Sequence, residues 1–371
     1  MNLLSASNVG NVVLSVLLAL IILLAMICVH EFGHFIAGRI LKFKINEFAV
    51  GFGPAIFKRK GKKHGTLFSV RLVPLGGYCA FEGENEEESD PASFNNKKPW
   101  QRIIVLISGA LMNFILALLL VIIGFFSFGQ PCYKLNAVEE SADYPVEYSL
   151  QQDDIIVGAN GKTVYLITDI ISALNGKQTG DKVTVDVLRG GEKTAQEVIL
   201  RGNCDFKNSS DTSKLWRALG AGTFEGEDGN LYWSVTGENV RFGFFPTLGR
   251  SFVYSFKTVG TIFRVIGELF TGNLGLNNLG GPLTTIKVTS EVASQNFQSF
   301  LQIAAYIGIN LAVFNLLPIP ALDGSKVIFC LIEWIFKKPV PRKVEAVIHT
   351  VGLVLIIGFA VLVDILQFAR C

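Results

Sequence analysis

Residues 12–34 read VVLSVLLALIILLAMICVHEFGH, an uncharged run of 18 residues followed by His30, Glu31 and His34. About 18–20 apolar residues cross a bilayer as a helix, so this run predicts a membrane span. A cleavable signal peptide is the alternative for an apolar run near the N-terminus. It is disfavoured because no Lys or Arg precedes the run, which ends in ionisable residues rather than at a small-residue cleavage site.

The rest of the composition also indicates a membrane protein. Half of the 371 residues are hydrophobic and 17% are charged, whereas a soluble protein carries about 25% charged residues. Further runs without Asp, Glu, Lys or Arg occupy residues 103–128, 299–322 and 346–363. The sequence therefore predicts a polytopic α-helical membrane protein with four transmembrane helices. The net charge of +2 gives no indication of a nucleic-acid partner, and the six cysteines lack the paired spacing of a cysteine metal site.

Basic residues set the expected orientation of these spans. Residues 38–102 carry 12 Lys or Arg and residues 323–345 carry five, whereas the first 11 residues carry none. Because short cytoplasmic loops are enriched in Lys and Arg, both basic segments are expected in the cytoplasm. Both termini, and the long segment 131–249, are then expected on the extracytoplasmic side.

Residues 250–272 are ambiguous, since they are apolar enough to form a fifth span. Lys257, Arg264 and Glu268 fall at i, i+7 and i+11 and share one face of a helix, which is typical of an amphipathic helix at the membrane interface. A fifth span would also move the basic residues of 323–345 to the outside. We therefore favour the interfacial helix.

The segment 131–249 is interpreted as a small β-rich module. Strand-like stretches lie at 155–158, 183–188 and 196–200. Turn signals such as Asn160-Gly161 separate them. A short helix is expected at 168–175, and residues 203–240 are interpreted as a polar tail.

The five residues His30 to His34 form an HExxH motif. Two His residues four positions apart share one face of a helix, so both imidazoles can reach one zinc ion. Glu31 then lies beside the metal, where it can take a proton from water that zinc activates. The bland alternative is a helix end whose His residues face water, but Phe35-Ile36-Ala37 continue the apolar stretch. Ionisable groups at membrane depth require partners, which favours the metal site.

A zinc hydrolase needs a third protein ligand, and Asp323 is the best candidate. His64 lies in a basic, Gly-rich loop and His349 opens the last span. Asp323 closes the third span, whose C-terminal end is expected on the same side of the membrane as His30 and His34. Pro318 and Pro320 interrupt the helix just before it, and irregular backbone at membrane depth is tolerated where it lines a cavity.

With these residues in place, the chain resembles the site-2 protease family of intramembrane metalloproteases, in its bacterial RseP/RasP branch. The motifs that carry the resemblance are HEFGH at 30–34, GFGP at 51–54, PLGGY at 74–78, FNNK at 94–97 with Gln101-Arg102, NNLGGP at 277–282, and Asn310 with NLLPIPALDG at 315–324. They occur in the family's order and cover residues 12–368. One departure is Gly109-Ala110, where relatives often have Pro after the Gly.

The resemblance implies one Zn²⁺ per chain, bound by His30, His34 and Asp323, with Glu31 as catalytic base. It implies that residues 51–80 form a β-hairpin that enters the membrane from the cytoplasmic side. An edge strand of that hairpin could pair with an unwound substrate segment. The residues expected to bind substrate are Asn315, Asn310, Gly51, Gly53, Gly76 and Gly77.

The external module resembles one PDZ domain, at about 132–203, which implies peptide binding or steric filtering of substrates. The family's Gly-Leu-x-Pro-Gly-Asp run reads SLQQDD at 149–154, which weakens the expectation of peptide binding but not that of the fold. Cys132 and Cys204 bracket the module, and a disulfide between them is a hypothesis.

The resulting layout is as follows: first transmembrane helix 1–40, cytoplasmic loop with hairpin 41–102, second transmembrane helix 103–130, PDZ domain 131–203, connecting segment 204–249, interfacial helix and loop 250–298, third transmembrane helix with the Asp ligand 299–324, cytoplasmic loop 325–345, and fourth transmembrane helix with the C-terminus 346–371. The resemblance implies a bacterial cytoplasmic membrane, an active site near its cytoplasmic face, and single-span membrane proteins as substrates.

A non-catalytic scaffold and a metal transporter are the competing interpretations. The intact HExxH motif with Asp323 argues against the first. The absence of a line of intramembrane carboxylates argues against the second.

Overall fold

The structure is a computed structural model that describes residues 6–84, 89–139, 141–207, 212–226, 231–275 and 280–368. Part of the acidic run 82–90 and the first three residues of the NNLGGP motif lie outside the described residues. The chain divides into two compact units, one formed by residues 1–121 with 276–371 and the other by residues 122–275.

Nine helices and ten strands follow one another along the described part of the chain. The helices are α1 (Ala6–Ile40), α2 (Pro99–Phe128), α3 (Ile167–Leu174), α4 (Thr212–Ala218), α5 (Phe244–Phe270), α6 (Pro282–Gln295), α7 (Phe297–Leu316), α8 (Asp323–Phe336) and α9 (Arg342–Phe368). The strands are β1 (Ile45–Lys60), β2 (Leu67–Phe81), β3 (Gln130–Leu135), β4 (Ile155–Ala159), β5 (Lys162–Thr163), β6 (Lys182–Arg189), β7 (Glu192–Ile199), β8 (Thr223–Glu225), β9 (Leu231–Trp233) and β10 (Val235–Val240).

Four of these helices are long and apolar enough to cross a membrane, as the sequence predicts. The candidate spans are Val16–Ile40, Pro99–Phe128, Phe297–Leu316 and Arg342–Gln367. The ambiguous α5 is not among them. Between α1 and α2 the backbones approach closely, because Gly33 lies against the carbonyl group of Ser108. Small residues permit such close helix contacts where lipid gives no hydrophobic driving force.

The predicted hairpin is longer and more folded than expected. Residues 47–50 of β1 lie beside 77–80 of β2 on one side and beside 67–70 of β2 on the other. Residues 58–60 then lie on the far side of 67–69. Each strand therefore doubles back, and four short segments lie next to one another. The bend in β1 falls at Gly51 and Gly53, whose φ angles of +90° and +83° suit glycine.

Two predicted loops contain helices instead. The segment 325–345 was expected as a loop, but α8 occupies most of it and Arg102 of α2 forms a buried ion pair with Glu333 of α8. The segment 250–298 holds α6 in addition to α5. Asp364 of α9 accepts hydrogen bonds from the backbone N–H groups of Leu283 and Thr284 at the first turn of α6. The contacts that support these two helices come from residues far away in the chain, so local patterns did not reveal either helix.

In the second unit the strand order of the main sheet is β10-β3-β4-β6-β7, with β5 paired to β4. Predicted strands at 155–158, 183–188 and 196–200 correspond to β4, β6 and β7. The core beneath the sheet is apolar and includes Ile156, Ile170 and Leu215. The polar tail predicted at 203–240 was wrong, since it forms α4, β8, β9 and β10. Strand β10 reads VTGENV and is mostly exposed, so only its pairing with β3 identifies it as a strand.

Helix α5 also belongs to this unit and turns its charged face toward α3. Lys257 forms an ion pair with Asp169, and Arg264 donates to Ser172 Oγ at 3.1 Å. The opposite face carries exposed aromatic side chains, including Phe252 and Phe256. The predicted amphipathic character of α5 is present, and Lys257 and Arg264 on its charged face contact side chains of α3.

The hypothesised disulfide does not form, since Cys132 and Cys204 are both free, buried thiols. Cys204 belongs to the apolar core, and Tyr133 and Leu135 of β3 pack against that core. Side chains alternate between the two faces of a strand, so Cys132 points away from the side that Tyr133 and Leu135 occupy. The strand register therefore keeps the two sulfur atoms on different sides of β3.

Candidate metal centre

The two histidines of the HExxH motif lie one turn apart on α1, and both are buried. Their Nε2 atoms are 3.1 Å apart. Oδ2 of Asp323 lies 3.0 Å from His30 Nε2 and 3.3 Å from His34 Nε2. Three ligand atoms at about 2.0–2.1 Å from a tetrahedral zinc ion are about 3.3 Å from one another. The observed separations thus fit the edges of a zinc coordination tetrahedron with its fourth corner open.

The loop between α7 and α8 delivers Asp323 to this cluster. Pro318 and Pro320 follow the end of α7, and Ala321 has a φ of +75°, a conformation that is strained for a residue with a side chain. The backbone N–H of Ala321 donates to Nδ1 of His349 at 3.0 Å. Asp323 is then the first residue of α8. A histidine that was rejected as a ligand from the sequence therefore holds the ligand-bearing loop in place.

Hydrogen bonds also orient the two histidine ligands. Nδ1 of His34 donates to the backbone carbonyl of Val105 at 2.8 Å, which leaves Nε2 free to bind a metal. The side-chain amide of Asn315 lies 3.4 Å from Nδ1 of His30. A His30 ring that binds metal through Nε2 carries its proton on Nδ1. With the Asn315 amide flipped, its oxygen can accept a hydrogen bond from that N–H.

Gly109 of α2 has a role that the sequence interpretation missed. A Cβ atom at this position would lie 2.5 Å from His34 Nε2 and 2.7 Å from His30 Cε1. Any side chain would therefore displace the imidazoles. In the sequence, Gly109 attracted notice only because the residue after it, Ala110, departs from the family's pattern. A glycine within an apolar helix was the available signal, since glycine there costs about 1 kcal/mol relative to alanine and calls for a packing reason.

Glu31 faces both the cluster and the hairpin. A Cβ at Gly77 would lie 3.5 Å from Cγ of Glu31, so the bend of β2 touches the helix turn that carries the carboxylate. The backbone N–H of Cys79 points to that carboxylate. A carboxylate beside a metal cluster and an exposed backbone edge can serve as a proton acceptor for a reaction at that edge.

The residues predicted to bind substrate divide into two groups. Asn315 and Gly77 lie beside His30 and Glu31, as described above. Asn310 donates to the Tyr306 carbonyl one turn earlier in α7, a contact that does not involve the cluster. Gly76 packs under the ring of Phe52. These glycines shape the hairpin, and Gly51 and Gly53 allow the bend of β1.

Comparison with known proteins agrees with this geometry. The chain matches Peptidase family M50 over residues 18–359. Three similar proteins are each named "Putative zinc metalloprotease". The one from Clostridium perfringens is 33% identical over 94% of this chain and 97% of its own length. That of Fusobacterium nucleatum is 31% identical over 94% and 97%. That of Nostoc sp. is 29% identical over 94% of both chains.

The family match covers most of the chain, and each of the three relatives aligns with 94% of it. The four apolar helices fit a multi-pass membrane protein. The chain belongs to peptidase family M50, the site-2 protease family, and is a zinc metalloprotease of the membrane.

Proposed function

We propose that the protein is an intramembrane endopeptidase, which uses one zinc ion held by His30, His34 and Asp323 to hydrolyse peptide bonds within or beside transmembrane segments. The observation that carries the proposal is the convergence of these ligand atoms within 4.8 Å of one another, next to Glu31. When bound, zinc supplies a Lewis acid that activates water at neutral pH. Glu31 accepts the proton of the attacking water and passes it to the departing amide nitrogen.

The hairpin supports the view that the substrate binds as an extended strand. Peptide bonds within a helix are shielded, so a transmembrane substrate must unwind before hydrolysis. The segment 77–80 pairs with 47–50 on one side, and no described strand pairs with its other side. Because the N–H of Cys79 points to Glu31, a substrate strand added to that edge would run past the catalytic carboxylate. Asn315 is then a residue that orients His30 as well as a candidate contact to substrate.

The loop charges support the proposed orientation, and the family resemblance supports the proposed partners. The basic segments 38–102 and 323–345 lie in the cytoplasm, and the active site lies near the cytoplasmic face of a bacterial inner membrane. The β-rich unit is an extracytoplasmic PDZ-type domain. The substrates are single-span proteins that have already been shortened outside the membrane, such as anti-sigma factors or remnant signal peptides.

A specific observation supports peptide binding by the β-rich unit as a second role. A cavity of about 630 Å³ opens beside Tyr144, Arg201, Arg217 and Trp233. The guanidinium of Arg201 donates a hydrogen bond to Ser149 Oγ at 3.1 Å. Arg217, in contrast, is exposed and forms no ion pair with any described residue. Aromatic rings with a free guanidinium suit an acidic or C-terminal peptide group. An Arg217→Gln variant that binds an acid-ended peptide as tightly as the parent protein would refute this role.

The central experiment compares the parent protein with Glu31→Gln and Asp323→Ala in lipid nanodiscs. We expect Glu31→Gln to retain zinc and to cleave a model transmembrane substrate roughly 100- to 10,000-fold more slowly. We expect Asp323→Ala to lose zinc, because one ligand of three is gone. The exposed Glu192→Gln is the matched control and should behave like the parent. Equal cleavage by Glu31→Gln would refute the mechanism, and a zinc-free parent protein would favour a scaffold.

A further inference from the structure

The turn that joins the two hairpin strands carries an unusual set of charges. Five exposed cations lie within six positions, at Lys58, Arg59, Lys60, Lys62 and Lys63. Residues 48–81 contain no Asp or Glu. No described acidic residue forms an ion pair with any of the five. We call these five residues the basic turn.

A sixth cation of the hairpin shows what pairing looks like in the same element. Arg71 forms an ion pair with Glu47 at 2.7 Å, and the same carboxylate also accepts hydrogen bonds from Ser69 and Tyr78. Glu47 thus neutralises the charge of Arg71 within the hairpin itself. The basic turn has no such acid, so its counter-charge must come from elsewhere.

Contacts to α1 place the basic turn near the end of a membrane span. Arg39, in the last turn of α1, donates to Thr66 Oγ1, and Thr66 in turn donates to the Ile45 carbonyl at 2.7 Å. Thr66 closes the turn, since its carbonyl accepts from Gly61 N at 2.8 Å. The candidate span ends at Ile40, so the turn lies level with the end of the apolar helix.

The bends of the hairpin lie deeper in the same span. Gly77 touches Glu31, which precedes Arg39 by eight residues or about 12 Å of helix. At and beyond the level of Gly77, on the side away from the basic turn, the hairpin exposes large apolar side chains, with Ile56 at 69% and Leu72 at 61% exposure. The order along the span is therefore exposed apolar side chains at depth, followed by unpaired cations at the end. That order matches the hydrocarbon and headgroup layers of one leaflet.

We propose that the basic turn binds the headgroups of anionic phospholipids and thereby anchors the hairpin at a fixed depth beside Glu31. The partner is a lipid rather than an acidic protein segment, because the exposed apolar residues next to the cations require a hydrocarbon neighbour. Clusters of four to eight Lys or Arg immediately beside a span attract the headgroups of anionic lipids.

The first test measures acetylation of the turn lysines by mass spectrometry, with the full protein in nanodiscs. One set contains phosphatidylcholine alone and the other about 30% phosphatidylglycerol. We expect the lysines of the basic turn to react about three- to tenfold more slowly in the anionic discs, and about 0.5 M NaCl to reverse most of this protection. Lys177, in the β-rich unit, is the internal reference. Equal rates in the two lipids would overturn the proposal. If these equal rates are both slow relative to that of Lys177, the result would in addition indicate pairing with an acidic segment of this chain.

The second test uses a variant with all five cations of the basic turn replaced by glutamine. Native mass spectrometry of the protein from mixed micelles should show retained phosphatidylglycerol on the parent, and about fivefold less on the variant. The matched control replaces Lys337, Lys338, Arg342 and Lys343 by glutamine, since these also belong to a basic segment expected in the cytoplasm. Unchanged zinc content in both variants shows that the fold is intact. Equal lipid loss in the control would mean that any cytoplasmic charge suffices, and would overturn the proposal.

Discussion

The membrane-helix unit and the β-rich unit use buried polar residues in opposite ways. In the former, His30, His34 and Asp323 converge at one point among apolar helices. In the latter, the core is apolar, and the fully buried Asp154 is paired with Arg189 at its margin. The contrast teaches that the buried His–Asp cluster of the first unit serves chemistry, whereas the buried Asp154–Arg189 pair of the second serves stability. Substitutions in the two units should therefore separate zinc binding from folding.

The largest expected effect comes from Gly109→Ala. Its Cβ would lie 2.5 Å from His34 Nε2, so the imidazoles must move and zinc affinity should fall about 100-fold or more. Gly124→Ala on the same helix is the control, because no atom lies within 4 Å of its Cβ position. Both changes raise helix propensity equally. Metal titration followed by zinc analysis measures the difference, and full affinity in Gly109→Ala would show that the helices separate without disturbing the cluster.

The next largest effect is expected on the stability of the β-rich unit, from the substitution Asp154→Ala. Asp154 receives two hydrogen bonds of 2.8 Å from Arg189 and one of 2.9 Å from Gln151 N. Its loss should destabilise this unit by about 2 kcal/mol, below the range for a fully buried pair because Arg189 is partly exposed. Hydrogen exchange of β4 and β6 should accelerate, while zinc content stays the same. A loss of zinc would contradict the separation of roles.

A smaller effect is expected from His349, which acts on the cluster only through the Ala321 backbone. His349→Leu removes the acceptor of the Ala321 N–H, and we expect a roughly tenfold loss of zinc affinity. His349→Asn should recover most of it, since the amide oxygen can take the place of Nδ1. If His349→Leu binds zinc as tightly as His349→Asn and the parent protein, the hydrogen bond does not position Asp323. Zinc titration of the two purified variants provides the measurement.

The smallest effect concerns the two thiols of the β-rich unit. Burial raises the pKa of Cys132 and of Cys204 to about 11. The reactive thiolate is therefore scarce at pH 8, and native alkylation by iodoacetamide should be slow, with faster reaction as the pH rises toward 11. After unfolding without reductant, both residues should alkylate fully. Mass spectrometry that finds them unmodified until reductant is added would demonstrate the disulfide that the structure lacks.

Much of the membrane-helix unit was predictable from local sequence. A run of apolar residues forms a span wherever it occurs, and an i, i+4 pair on a helix needs no distant information to share a face. Helices long and apolar enough to cross a membrane lie at all four predicted runs. Helix α8 and strand β10 were missed, in segments predicted as a loop and a polar tail. Both contact partners far away in the chain, Arg102 for α8 and β3 for β10, which a local pattern does not reveal.

The sequence by itself indicated a metal site in a membrane span, because HExxH in an apolar run combines a metal-binding spacing with an environment that demands partners. Its further motifs carried the resemblance to a family of membrane metalloproteases. Only the tertiary structure decided how the site is closed. It shows that Gly109 leaves space for the imidazoles, that His349 holds the strained loop before Asp323, and that Gly77 meets Glu31. These contacts join residues far apart in the chain, and their cause is the packing of helices and hairpin against one another, which no local pattern encodes.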